Sequence, residues 1–77
     1  MTTEQTIMTI LKDITGVDVS TTPDQNLFTD GLLDSMATVE LVLELENQCH
    51  VSIPISEMKR EEWDTPNKIV TKVAAMQ

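Results

Sequence analysis

The 77-residue chain carries thirteen acidic residues against five basic ones, a formal charge of −8. A chain of this length fits one domain, residues 1–77, and buries only roughly 60% of the surface its unfolded form exposes, which leaves little room for a deep catalytic cleft. The balance argues against nucleic acid, whose phosphates are bound through Lys and Arg, and against anionic membrane surfaces; it suits basic protein partners, although acidity alone fits a merely soluble protein equally well.

Cys49 is the sole cysteine, so no internal disulfide forms and a reducing compartment is expected. No basic segment followed by an apolar stretch opens the chain, and no apolar run approaches the length of a bilayer span. The expectation is a cytoplasmic protein without direct membrane insertion, and nothing demands more than a monomer.

The first helix starts at Thr2 or Thr3, where Thr2 and Gln5 have capping-box spacing. Ile7, Ile10, Leu11 and Ile14 follow the i, i+3, i+4, i+7 rule, and Gly16 ends the helix. A long polar loop runs from about Val17 to Leu33, pinned by Leu27, Phe28, Leu32 and Leu33; Gly31 supplies a positive φ before the next helix. The second helix spans Ser35 to Cys49. Its predicted apolar arc holds Met36, Val39, Val42, Leu43, Leu45 and Cys49, with Leu41 at the edge and Glu40, Glu44, Asn47 and Gln48 opposite. Glu46 falls inside the apolar arc, and periodicity does not account for it. Val51, Ile53 and Ile55 alternate around Pro54, which demotes a strand to an extended connector. Ser56 is placed to cap a short helix from about Glu57 to Glu62. Thr65 and Pro66 start a last helix with Ile69, Val70, Val73 and Met76 on its apolar face. The fold class is all-α, a small bundle of three longer helices and one short one with a long first loop.

Few residues suit chemistry. Cys49 and His50 are neighbours whose side chains diverge by about 100° on a helix, and no further ligands complete a metal site. His50, the only histidine, lies at the far end of the second helix, roughly 22 Å from Ser35 at 1.5 Å per residue, so it cannot activate that serine. Cys49 reads as a core residue with an inert thiol. Val39 reads first as core, and Met36 equally as core or as an exposed apolar spot beside Ser35.

Ser35 opens a helix after a long loop. It reads as an N-cap, bonding a free N–H of the first turn. It also reads as an attachment point, because a helix N-terminus has free N–H groups and a positive dipole end that stabilise a phosphate. One position can serve both readings.

The segment Asp30-Gly31-Leu32-Leu33-Asp34-Ser35-Met36, followed by Thr38-Val39-Glu40-Leu41-Val42-Leu43-Glu44-Leu45, resembles the modification-site helix of acyl carrier proteins. Together with Glu62-Trp63-Asp64-Thr65-Pro66-Asn67-Lys68-Ile69 it is similar to the D-alanyl branch of that family. Ala37 departs from the glycine expected after the methionine, a change a helix accepts readily. The resemblance implies an acyl-carrier-like bundle with a 4′-phosphopantetheine arm on Ser35, and a carrier that catalyses nothing. Asp34, Glu40 and Glu44 would face basic surfaces of partner enzymes, with Met36 and Val39 as further candidate contacts. The implied partners are a phosphopantetheinyl transferase using coenzyme A and Mg²⁺, a D-alanine-activating ligase, and membrane-bound machinery that passes D-alanine to lipoteichoic acid. The alternative cargo is an acyl or peptidyl group of fatty-acid, polyketide or peptide synthesis.

Overall fold

Helix α1 spans Thr3–Thr15 in the computed structural model, which describes residues 2–54, 56 and 59–77. Its start is the expected capping box: Gln5 N–H donates to Thr2 Oγ1 at 3.1 Å, and Thr2 N–H donates to Gln5 Oε1 at 3.0 Å. Two of the orphan donors of a helix start are thereby satisfied. Ile7, Ile10 and Leu11 are buried as the spacing requires. Gly16 ends the helix at φ 76°, donating its N–H to Lys12 O at 2.8 Å, a conformation that glycine adopts without steric cost. Helix α1 is the central element, packing against both α2 (Ser35–Cys49) and α3 (Pro66–Met76). The described residues contain no strand, and two 3₁₀ turns, Val19–Thr21 and Arg60–Glu62, complete the all-α architecture.

Of the short helix expected from Glu57 to Glu62, the described residues Arg60–Glu62 form the second of these 3₁₀ turns. Glu57 and Met58 lie outside the described residues, as does Ile55 of the connector. At Arg60–Glu62 the flanking Lys59 supplies no side-chain cap, and Trp63 N–H closes onto Arg60 O at 3.0 Å. That i→i+3 bond turns Trp63 into the core, where it is 4% exposed, and no α-helix is propagated.

Helix α2 differs from its predicted orientation. Leu41, Val42, Leu45 and Cys49 are buried, whereas Met36, Val39 and Leu43 are exposed. Apolar side chains stand nearly all round this helix, so their period leaves its rotation open. The contact with α1 decides it: Leu41, placed at the edge by periodicity, sits one turn before Leu45 on the inward face. Each such burial contributes about 1.5–3 kcal/mol.

Glu46 also finds its explanation. Its Oε2 accepts the Ile53 N–H at 3.0 Å, fastening the extended connector to α2. Between them His50 reverses the chain in the left-handed region at φ 56°. Val51 and Ile53 then point inward while Ser52 and Pro54 face solvent.

The first loop is ordered by its own hydrogen bonds. Asp18 caps the Val19–Thr21 turn through Ser20, and the Ser20 hydroxyl and amide that donate to it hold the Asp18 carboxyl below its ordinary pKa. Further on, the Leu27 carbonyl accepts Leu32 N–H at 2.8 Å and Leu33 N–H at 3.0 Å, with Gly31 at φ 74° making the reversal. Leu27 and Leu33 are buried. The loop is then tied to the start of α3, where Leu27 N–H donates to Asp64 O at 2.7 Å and Asn67 N–H donates to Pro23 O at 2.9 Å. The Arg60 guanidinium lies 4.3 Å from the centre of the Phe28 ring. Thr65 caps α3 by accepting Lys68 N–H at 3.1 Å, and Pro66 occupies its first turn.

Because Glu46 holds a partly buried backbone N–H, Glu46→Ala lowers stability by about 1–2 kcal/mol, and Glu46→Gln, which keeps an acceptor oxygen, by less. In a domain this small that displaces the melting temperature by about 4–8 °C per kcal/mol. Equal melting curves for wild type and Glu46→Ala would contradict the assigned bond.

Candidate functional site

Ser35 is the first residue of α2 and is exposed. The residue before it, not Ser35 itself, caps the helix. Asp34 Oδ1 accepts Ala37 N–H at 2.8 Å, and Asp34 O accepts both Thr38 N–H at 2.9 Å and the Thr38 hydroxyl at 2.7 Å. Aspartate and serine cap equally well, so the sequence leaves one position of uncertainty in the cap. The geometry resolves it and frees the Ser35 hydroxyl from local bonding: among the described residues it has no hydrogen-bond partner. The N–H groups of Ser35 and Met36 lie in the first turn, where no helical carbonyl reaches them. An anion attached at Ser35 would meet these two donors and the positive end of the helix dipole.

From Ser35 an apolar stripe runs along α2. Met36 is 83% exposed, Val39 43% and Leu43 58%. Val39 and Leu43, read from the sequence as core, therefore belong to the surface. Leu43 is a residue that the sequence reading missed as a candidate contact; its position seven residues after Met36 and four after Val39 is the signal that places all three on one face. Glu40 is exposed and Glu44 half-buried, its Oε2 accepting the Gln48 amide at 2.6 Å. With Asp13 they rim a cavity of about 150 Å³ floored by Ile10 and Ile14, between α1 and α2. The two glutamates thus stand on the α1 side of the stripe, and Asp34, Met36 and Ser35 at its beginning. A larger groove of about 500 Å³ runs between α1 and the Val19–Thr21 turn, and no α2 residue lines it.

No other chemistry converges on Ser35. His50 is at the opposite end of α2. Cys49 is buried, and desolvation pushes its thiol pKa up, away from the thiolate form. Among the described residues no group of three or more His, Cys, Asp or Glu side chains could hold a metal ion, and no helix is long and apolar enough to cross a membrane.

The family model described as "Phosphopantetheine attachment site" matches residues 5–73. The chain is 56% identical over 72 residues to D-alanyl carrier protein 2 of Lactiplantibacillus plantarum, covering 94% of this chain and 90% of the relative. It is 55% identical over 75 residues to D-alanyl carrier protein 1 of the same organism, with 97% and 94% covered. The D-alanyl carrier protein of Lactobacillus acidophilus is 49% identical over 77 residues, with 100% and 98% covered.

The capping role of Asp34 separates from its charge by substitution. Asp34→Ala removes the acceptor of the Ala37 N–H and costs about 1 kcal/mol, whereas Asp34→Asn retains the cap and leaves thermal stability within a few tenths of a kcal/mol. Denaturant unfolding followed by far-UV circular dichroism reads both. An equal loss in the two variants would assign the effect to the carboxylate charge instead.

Proposed function

The chain belongs to the phosphopantetheine-attachment family and, within it, to the D-alanyl carrier proteins, and on that premise we propose that Ser35 takes the 4′-phosphopantetheine arm on which D-alanine travels. The observation that carries the assignment to Ser35 is its placement: an exposed hydroxyl, released from capping by Asp34, beside two N–H groups at the start of α2 that are unpaired among the described residues. These donors suit a phosphodiester. When attached, the arm supplies a flexible thiol that holds D-alanine as a reactive thioester.

The chain's own part is presentation. The neighbouring Asp34 carboxylate is engaged in capping α2; the Ser35 oxygen takes the phosphopantetheinyl group from coenzyme A, adenosine 3′,5′-bisphosphate leaves, and the hydroxyl proton goes to a group of the phosphopantetheinyl transferase. A D-alanine-activating ligase then loads the thiol, and membrane-bound transfer machinery receives the cargo for lipoteichoic acid. Residues 1–77 act as a single cytoplasmic, monomeric carrier domain that is not itself an enzyme. The apolar stripe of Met36, Val39 and Leu43 seats against these partners. Asp34, Glu40 and Glu44 flank it and draw in basic surfaces, an attraction that added salt weakens.

Incubation with a phosphopantetheinyl transferase and coenzyme A adds one arm to the wild-type chain and none to Ser35→Ala, read by intact mass. The armed protein then accepts D-alanine in preference to other amino acids and acyl groups when each is offered with its loading enzyme. An unmodified wild type, under conditions that modify a control carrier, would sink the assignment; preferential loading of a long acyl chain would redirect the cargo.

The stripe gives a separate expectation. Leu43→Asp keeps the fold, since Leu43 is exposed, but raises the KM of D-alanine loading by about five- to tenfold through loss of an apolar contact. An unchanged KM would remove Leu43 from the partner surface.

A further inference from the structure

The Asn26 carboxamide joins two parts of the fold that the helices alone leave separate. Its Oδ1 accepts Phe28 N–H at 3.1 Å and Thr29 N–H at 2.9 Å, capping the turn that begins at Leu27. Its Nδ2 donates to Asp64 Oδ2 at 3.2 Å, at the start of α3. Asp64 is held in turn: its side chain is 13% exposed, and Oδ1 accepts Lys68 Nζ at 2.9 Å. The capped turn carries the Leu27 carbonyl on which Leu32 and Leu33 N–H converge. From Leu33 the chain passes directly to Asp34 and Ser35.

We propose that Asn26 is a positioning residue for the modification of Ser35, its contact with Asp64 fixing the loop edge against which a phosphopantetheinyl transferase reads the serine. This inference rests on the reading of Ser35 as the attachment site. The residue type carries the argument. If position 26 served only as a cap, aspartate would do as well as asparagine. Only the amide can also donate to Asp64. A carboxylate there would face the Asp64 carboxylate at about hydrogen-bonding distance, and like charges so placed repel. Helix α2 is anchored independently by Leu41 and Leu45, so loss of the contact displaces the loop edge and not the helix. The consequence is poorer docking of the transferase, with the chemistry at the hydroxyl left to the transferase's own groups.

The test is steady-state arm transfer from coenzyme A, followed by intact mass, with KM and kcat measured separately. Asn26→Asp lowers kcat/KM by about fivefold or more, mostly through KM, at unchanged helix content. The Asn26→Asp/Asp64→Asn double variant exchanges donor and acceptor across the same contact and restores kcat/KM to within about twofold of wild type. Should Asn26→Asp lose its helical circular dichroism, Asn26→Ser takes its place: it keeps a capping oxygen, is too short to reach Asp64 while capping and lowers kcat/KM in the same direction. A folded single variant with wild-type kcat/KM, even at reduced melting temperature, would overturn the proposal, as would a double variant no better than Asn26→Asp. A wild-type protein that takes no arm at all would overturn the reading of Ser35 itself, before any variant is compared.

Discussion

The peptide groups on either side of Leu27 hold the structure's working end together. The Leu27 N–H donates to the Asp64 carbonyl at the start of α3, and its carbonyl receives the N–H groups of Leu32 and Leu33 just ahead of α2. Its side chain is fully buried. Three backbone hydrogen bonds and one buried leucine thus couple two helix starts that are far apart in sequence. A polar loop of this length would otherwise be costly to order, because each fixed residue loses about 1–2 kcal/mol of backbone entropy. With the loop held, Leu33 is fixed in the core, Asp34 reaches the Ala37 N–H, and Ser35 stands clear of both.

Helix α2 works in two directions from that start. Its inward side chains, Leu41, Val42, Leu45 and Cys49, pack on the rest of the bundle. Its outward ones, Met36, Val39 and Leu43, remain in contact with water at a cost in hydrophobic free energy that a solitary protein has no reason to bear. A carrier that meets several enzymes through one face has such a reason. Under the proposed function, the acidic surroundings raise encounter rates with basic partners, and the apolar stripe supplies contact area once they meet.

Much of this was legible in the sequence, and where it was not the cause is physical. The capping box at Thr2, the helix end at Gly16, the positive φ of Gly31, the Thr65-Pro66 start and the bounds of α2 follow from local chemistry that tertiary packing leaves alone. Ser35 starts the helix, as its place after the long loop predicts, but the cap is Asp34, because two adjacent good caps differ only in which one the preceding loop orients. The rotation of α2 is not readable from the sequence: a helix apolar on nearly every side has no strong period, so spacing alone places Val39 and Leu43 on the inward arc, where the structure does not. Glu46 could not be explained without its acceptor contact to Ile53, seven residues away. The run from Glu62 to Ile69, which narrows the family resemblance to its D-alanyl branch, has a packing role of its own. It buries Trp63, caps α3 and receives the first loop, contacts that pattern alone does not reveal.

Amide hydrogen exchange on the unmodified protein tests most directly whether a fixed loop presents an open helix start. The amides of Leu27, Leu32 and Leu33 are predicted to exchange as slowly as those in the middle of α1, at least about a hundredfold below their intrinsic rates, while those of Ser35 and Met36 exchange close to theirs. Fast exchange at Leu27 and Leu33, or protection at Ser35 and Met36, would contradict the account, the first by showing the loop unfastened and the second by showing the donors at Ser35 already occupied.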